Sequence, residues 1–223
     1  MIEINGDIGP ALVHTLREAL ADTEPERFPA GAVLLLDSRG GDGLAAMEIG
    51  RIARAARAHV FVRNRCASAC TFILAGGVLR GSGAEHAVGI HRPRLTTFVK
   101  DVGVVDVDAA SNPDAARMLE FANRRSAAYL REMGVPDALF KAMMAVPSHL
   151  TKFLSGAELA DYGLVGFDAG YRAARAAQGA SRYAISEETF VQRTMQVHEK
   201  CVADYAGPRE FARCYARVLQ TGE

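Results

Sequence analysis

An unbroken apolar run, AVLLLD at residues 32–37, stops at SRGGDG and gives way to LAAMEIGRIARAA, where apolar positions recur at helical spacing. A strand-length run without polar alternation is what a strand buried on both faces requires, and central parallel strands have that environment. The pattern then repeats along the chain. MIEING reads as a short first strand with a turn at Gly6-Asp7. GPALVHTLREALAD (9–22) reads as a helix with Pro10 near its start and Leu12, Val13, Leu16 and Leu20 at helical spacing. HVFVRN (59–64) is a strand, SACTFILAGGVL (68–79) a buried helix, and AVGIHR (87–92) a strand after a glycine-rich turn. Such alternation predicts an α/β chain of stacked β-α units with a mainly parallel sheet and surrounding helices.

Beyond His91 the signals change. Pro93 to Asn112 shows no clear period and reads as an excursion or flap. PDAARMLEFANRRSAAYLREMG is a long helix closed by Gly134, and PDALFKAMMAV a second one with Pro136 at its start. In LSGAELADYGLVG, Ser155 is the N-cap of a short helix followed by an apolar strand. After Gly170 the composition turns to YRAARAAQGASRYA and a polar helical tail. The expected division is therefore a main domain over 1–170 and a helical C-terminal extension over 171–223.

Charge narrows the partners. Lys and Arg total 26 and so do Asp and Glu, so no global field draws in nucleic acid or an anionic membrane. No apolar run approaches the roughly 20 residues of a membrane span, and no Walker-type phosphate loop is present. No cofactor and no metal is expected. The chain opens on MIEINGDIG, without a basic start and an apolar signal core. The expectation is a mature exported protein, or otherwise a cytoplasmic one.

The four cysteines form two local pairs, Cys66/Cys70 and Cys201/Cys214. Their spacings match neither a common zinc site nor the C-x-x-C redox motif. Paired cysteines lean toward disulfides and an oxidising compartment, with buried free thiols as the alternative. Two cysteines four apart in one helix sit too far apart for a relaxed disulfide. A bond becomes feasible if Cys66 lies in a turn and Cys70 in the first helical turn, which would place Ser68 on a sharp elbow between them. A serine there is ordinarily an N-cap. Its company suggests more: Gly40-Gly41 can aim backbone N–H groups at a developing negative charge, and His91 ends a short strand as a candidate general base.

Four stretches in this order, DSRGG (37–41), CASACTFILAGG (66–77), GIHRP (89–93) and FLSGAELADYGLVGF (153–167), resemble the ClpP/crotonase superfamily and within it the ClpP-type serine peptidases. The elbow and the histidine segment look most like exported bacterial ClpP-like proteins, which favours a disulfide-permissive, periplasmic setting. The resemblance implies a peptidase acting on peptide or protein substrates, with Ser68 as nucleophile and His91 as base. It places the oxyanion hole at the N–H groups of Gly41 and Ala69, and it implies a homo-oligomer.

Two positions depart from the family. Thr151 stands where the triad aspartate belongs, and Arg39 replaces the turn proline. A threonine hydroxyl can orient an imidazole but cannot stabilise an imidazolium as a carboxylate does. Substitute acids would be Asp101, Asp106, Asp108 or Asp161. A serine–lysine dyad would use Lys100 or Lys152. The competing functions are a non-catalytic ClpP-like scaffold and a crotonase-type acyl-CoA enzyme.

Overall fold

The computed structural model describes residues 1–21, 32–83, 85–202 and 205–223. Strand β2 (Val33–Ser38) bears out the reading of the 32–37 run. Val33 and Leu35 face one side of the sheet, Leu34 and Leu36 the other, and all four are buried. It lies between β1 (Ile2–Asn5) and β3 (His59–Ala67), both parallel to it. β4 (Leu79–Ser82) continues the parallel order along the first half of β3. Helices α1 (Pro10–Ala21), α2 (Gly43–Ala55) and α3 (Cys70–Gly76) link these strands. They pack on the side that carries Leu34, Leu36, Val60 and Val62. Asp22, at the end of the expected first helix, lies outside the described residues.

β3 is longer than its sequence signal and serves two neighbours. Its second half pairs with β5 (Val88–Ile90), which in turn pairs antiparallel with β8 (Lys152–Phe153). The β2–β3 register also breaks. β2 advances two residues from Leu36 to Ser38 while β3 advances four, from Val62 to Cys66. This bulge pushes Asn64 and Arg65 out beside Asp37 and lets the chain turn sharply at Ser68. The buried helix expected at 68–79 is shorter than the apolar run, because Leu79 already belongs to β4. α3 ends where Gly76 crosses α2: a Cβ there would stand 2.4 Å from the Gly50 carbonyl oxygen.

The excursion at 93–112 contains a hairpin, β6 (Thr96–Val99) and β7 (Gly103–Asp106). After it, α4 (Pro113–Glu132) docks through Tyr129, which is fully buried and donates to the Phe72 carbonyl at 2.7 Å. α5 (Asp137–Ala145) and α6 (Gly156–Asp161) follow, the latter opened by a Ser155–Glu158 capping box. β9 (Gly166–Phe167) closes the sheet edge antiparallel to β4.

The C-terminal helices cover the other face of the sheet. α7 (Ala169–Tyr183), α8 (Glu187–Val197), a π-helical turn at His198–Val202 and α9 (Pro208–Thr221) bring Phe190, Val197, Phe211 and Val218 onto Val33, Leu35, Phe61 and Leu79. A Cys201–Cys214 disulfide joins the π-helical turn to α9. Buried Arg80 ties the layers at the edge, donating to the carbonyls of Gly77 (3.0 Å), Gly163 (2.5 Å) and Met133 (2.7 Å). Arg54 pairs with Asp168, the N-cap of α7, at 2.9 Å.

His59 lies within this second interface, buried between two tyrosine hydroxyls. Tyr215 meets its Nδ1 at 2.9 Å and Tyr171 its Nε2 at 3.2 Å. A neutral imidazole offers one donor and one acceptor, so the hydroxyls satisfy both nitrogens. Burial pushes its pKa down to about 3. The folded value thus lies below the unfolded one of about 6.5, and the stabilisation is present above pH 6.5 and lost as pH falls toward 3. A His59→Gln variant keeps a donor and an acceptor but cannot titrate. The stability gap between wild type and this variant, measured by urea unfolding, should shrink by about 1.4 kcal/mol per pH unit between pH 5.5 and 4. A gap independent of pH would show that His59 titrates normally.

Candidate active site

Ser68 occupies the junction between β3 and α3 and adopts a left-handed backbone, φ 56°. A non-glycine residue holds that conformation only when its surroundings enforce it. Here three restraints do so. The Ser68 N–H donates to the Gly89 carbonyl on β5 at 2.9 Å. The Ser68 carbonyl accepts from Thr71 N–H at 3.0 Å and starts the turn into α3. Cys66 on β3 and Cys70, the first residue of α3, are joined by a disulfide with Cα atoms 5.2 Å apart, both fully buried. Cys66 thus sits at the end of a strand rather than in a turn, and the strand–helix reversal itself brings the two Cα atoms within reach.

The β2–α2 turn presses on this elbow without a side chain between them. A Cβ on Gly40 would stand 2.7 Å from the Ser68 Cβ and 3.1 Å from the Ala69 nitrogen. Gly40 has φ 115° and Gly41 φ 138°. On its outer side the turn is held by Ile8, whose N–H donates to the Gly40 carbonyl and whose carbonyl accepts from Asp42 N–H, both at 2.8 Å. The Gly40 carbonyl faces Ile8, so the trans peptide points the Gly41 N–H away from Ile8. Among the described residues neither the Gly41 N–H nor the Ala69 N–H has an acceptor. Two such donors beside a serine can hold an oxyanion.

His91 follows β5 two residues past Gly89 and is largely buried. Its Nδ1 lies 2.7 Å from the Arg92 carbonyl. A carbonyl only accepts, so Nδ1 carries the proton and Nε2 keeps the lone pair a general base needs. That carbonyl belongs to an anchored residue: the Arg92 N–H and Nε both donate to the Val146 carbonyl, each at 3.1 Å. Sequence reasoning missed this partner, because any residue supplies a carbonyl.

Thr151 is exposed and lies one residue before β8, where the Gly89–Phe153 and Ile90–Lys152 pairs put it level with His91. Its Cγ2 would be 2.6 Å from a Cβ on Gly89. Its hydroxyl makes no hydrogen bond among the described residues, so the contact with Gly89 is one of packing. Ser68, Ala69, Gly41, His91 and Thr151 are thus gathered around Gly89 and Gly40. Ser68 and His91 share no hydrogen bond in this state. Catalytic hydrogen bonds are often long before substrate binds.

The other sequence candidates have different occupations. Asp106 pairs with Arg94 at 3.1 Å, Asp108 accepts from Ala110 N–H and Ser111, and Asp101 and Asp161 are exposed. Lys152 is exposed and ion-paired with Glu158 at 2.6 Å, which raises its pKa where a lysine base needs a lowered one. Lys100 is exposed beside the hairpin turn. Among the described residues no group of three or more His, Cys, Asp or Glu stands together as a metal site.

No family model matches the chain, and no curated protein matches its sequence. Among solved structures it is similar to a ClpP1 mutant from Listeria monocytogenes, with TM-score 0.51 and 16% identity over 74% of this chain and 87% of that one. It is also similar to a mutant of a membrane-bound stomatin-specific protease, with TM-score 0.49 and 17% identity over 78% and 82%. The first of these establishes the fold: the chain is folded as a ClpP/crotonase-like α/β protein.

Two mutant series test this geometry. Gly40→Ala and Gly41→Ala should each cost on the order of 1–3 kcal/mol from backbone strain alone. Gly43→Ala at the start of α2, whose Cβ would meet only Phe72 of α3 at 3.8 Å among the described residues, should be neutral or slightly stabilising. Urea midpoints that fail to separate the two groups would contradict the packing. The disulfides should also divide. By loop length, removing Cys201–Cys214 (separation 13) costs about 3 kcal/mol and removing Cys66–Cys70 (separation 4) about 2 kcal/mol.

Proposed function

We propose that this chain is a serine hydrolase that cleaves peptide bonds through an acyl-enzyme on Ser68. The observation that carries the reading is the strained left-handed conformation of Ser68, held against Gly40 beside two N–H groups without acceptors. In this scheme His91 Nε2 takes the Ser68 hydroxyl proton as Oγ attacks the carbonyl carbon. The oxyanion is held by Gly41 and Ala69 N–H. The intermediate collapses as His91 returns the proton to the leaving amine, and water then repeats the sequence to release the acid. The Arg92 carbonyl is the orienting group, in place of a carboxylate.

The chain is proposed to work in an oxidising compartment such as the periplasm, supported by its two disulfides. Homo-oligomerisation, an expectation from the family resemblance, belongs to the same proposal. Among the described residues no helix is long and apolar enough to cross a membrane. One observation favours a second reading: with no carboxylate on His91 among the described residues, the chain is a non-catalytic scaffold of the same fold.

A fluorophosphonate probe separates the two. Wild type should label and Ser68→Ala should not. His91→Ala should label at least about 100-fold more slowly, the lower range for a lost general base. Thr151→Ala, which removes an exposed hydroxyl with no hydrogen bond among the described residues, should label within about threefold of wild type, less than the cost of one net hydrogen bond. An unlabelled wild type beside a labelled control hydrolase would leave the scaffold reading standing.

A further inference from the structure

The β3 bulge opens a polar cleft of about 580 Å³ across the carboxyl ends of β1, β2 and β3, next to the elbow but separate from it. Its walls carry Asp7, Asp37, Arg39, Asn64 and Arg65. Part of the wall is rigid. Buried Ser38 donates to the Gly6 carbonyl at 2.6 Å and accepts from Gly40 N–H at 3.1 Å, which ties the cleft to the oxyanion turn. Asp37 is already engaged, accepting from Asn64 at 2.6 Å. The two guanidiniums are not: among the described residues neither Arg39 nor Arg65 has a carboxylate within 4.0 Å, and both are exposed. Arg65 lies over the Phe153 ring, 6.0 Å from its centroid.

Position along the chain gives the cleft its meaning. Arg39 is two residues before Gly41 and Arg65 three before Ser68. At about 3.3 Å per extended residue, the Cα atoms of both lie within roughly 10 Å of those of Gly41 and Ser68. A bound extended peptide has the same rise, so one to three residues from its scissile bond a side chain reaches this cleft. Unpaired guanidinium forks are suited to carboxylates, which they can take in bidentate fashion.

We infer that this cleft is a substrate subsite for an acidic side chain, with Arg39 and Arg65 as its specificity-determining residues. The inference rests on the hydrolase reading for its place beside the scissile bond, but its recognition chemistry can be measured without turnover. Three fluorescein-labelled hexapeptides, alike except for a central pair of Glu, Gln or Lys, are titrated by anisotropy against the full Ser68→Ala chain. The Glu peptide should bind at least about tenfold more tightly than the Gln peptide, the range expected of a charge-assisted hydrogen bond, and salt should narrow the difference. Arg39→Gln and Arg65→Gln should each remove most of that preference. The Arg39→Glu/Arg65→Glu pair should turn it toward the Lys peptide. All these changes are at exposed positions, and circular dichroism checks the fold.

Equal binding of the three peptides, binding of none, a wild-type preference for Lys, or a Glu preference that survives both glutamine variants overturns the inference. Fluorophosphonate labelling of the wild type is scored separately. A protein that labels but ignores peptide charge loses the subsite and keeps the hydrolase reading. One that selects the Glu peptide through both arginines but never labels keeps the recognition and loses the chemistry.

Discussion

Two turns meet with only backbone and Cβ atoms between them: Gly40-Gly41 after β2, and Ser68-Ala69 after β3. A Cβ at Gly40 would come within 3 Å of the elbow, and one at Gly41 would come within 2.2 Å of the Ile8 carbonyl oxygen on the opposite side. Glycine is therefore required twice in succession, once for each neighbour. Much else follows from this contact. It sets how closely the second half of β3 approaches β2, and hence where the bulge must absorb two extra residues. It also sets the Ala69 nitrogen beside Gly40, 3.1 Å from where a Cβ would stand, which no arrangement with side chains between the turns would allow.

The sheet supports that contact from both sides. On one side, α2 and α3 cross at Gly50 and Gly76, and Tyr129 of α4 seats its hydroxyl on the end of that crossing. On the other, the C-terminal helices supply the apolar cover that Val33, Leu35 and Phe61 need. Without them these strands would expose a contiguous apolar face, which soluble chains rarely leave bare. The extension is thus a layer of the fold. Arg80 and the Arg54–Asp168 pair mark its seam, joining α4, α6 and α7 through backbone carbonyls and one carboxylate.

Much of this was legible in the sequence, for identifiable reasons. The run at 32–37 announced a strand buried on both faces because no polar residue interrupts it, and the order of strands and helices followed from the same periodicities. β4 was hidden because Val78 and Leu79 prolong the apolar signal of α3 past Gly76-Gly77, and composition alone cannot separate a buried helix from a buried strand. The elbow was legible through Ser68 and its flanking cysteines. The group that orients His91 was not, because the Arg92 carbonyl has no residue signature. Arg39 stood out as a departure from the family turn. That Arg65 lines the same cleft depends on the β3 bulge, a register break that no local pattern announces.

The orienting carbonyl and the two arginines bear differently on the chemistry proposed for the site. A carboxylate beside His91 would fix the tautomer and stabilise the imidazolium. The Arg92 carbonyl does the first and offers only a dipole for the second, and the larger part of a lost triad acid is the wrong tautomer. Arg39 and Arg65 add positive charge outside the reacting groups, and at a separation of about 10 Å a unit charge is worth about 0.4 to 1.7 kcal/mol between water and a protein surface. In the transition state an oxyanion and an imidazolium form together, so attraction to one and repulsion from the other largely cancel. A carboxylate on the substrate feels the attraction alone. Under the proposed chemistry the arginines would therefore act on which peptide binds, with the speed of the acyl transfer left to Gly41, Ala69 and the carbonyl that holds His91.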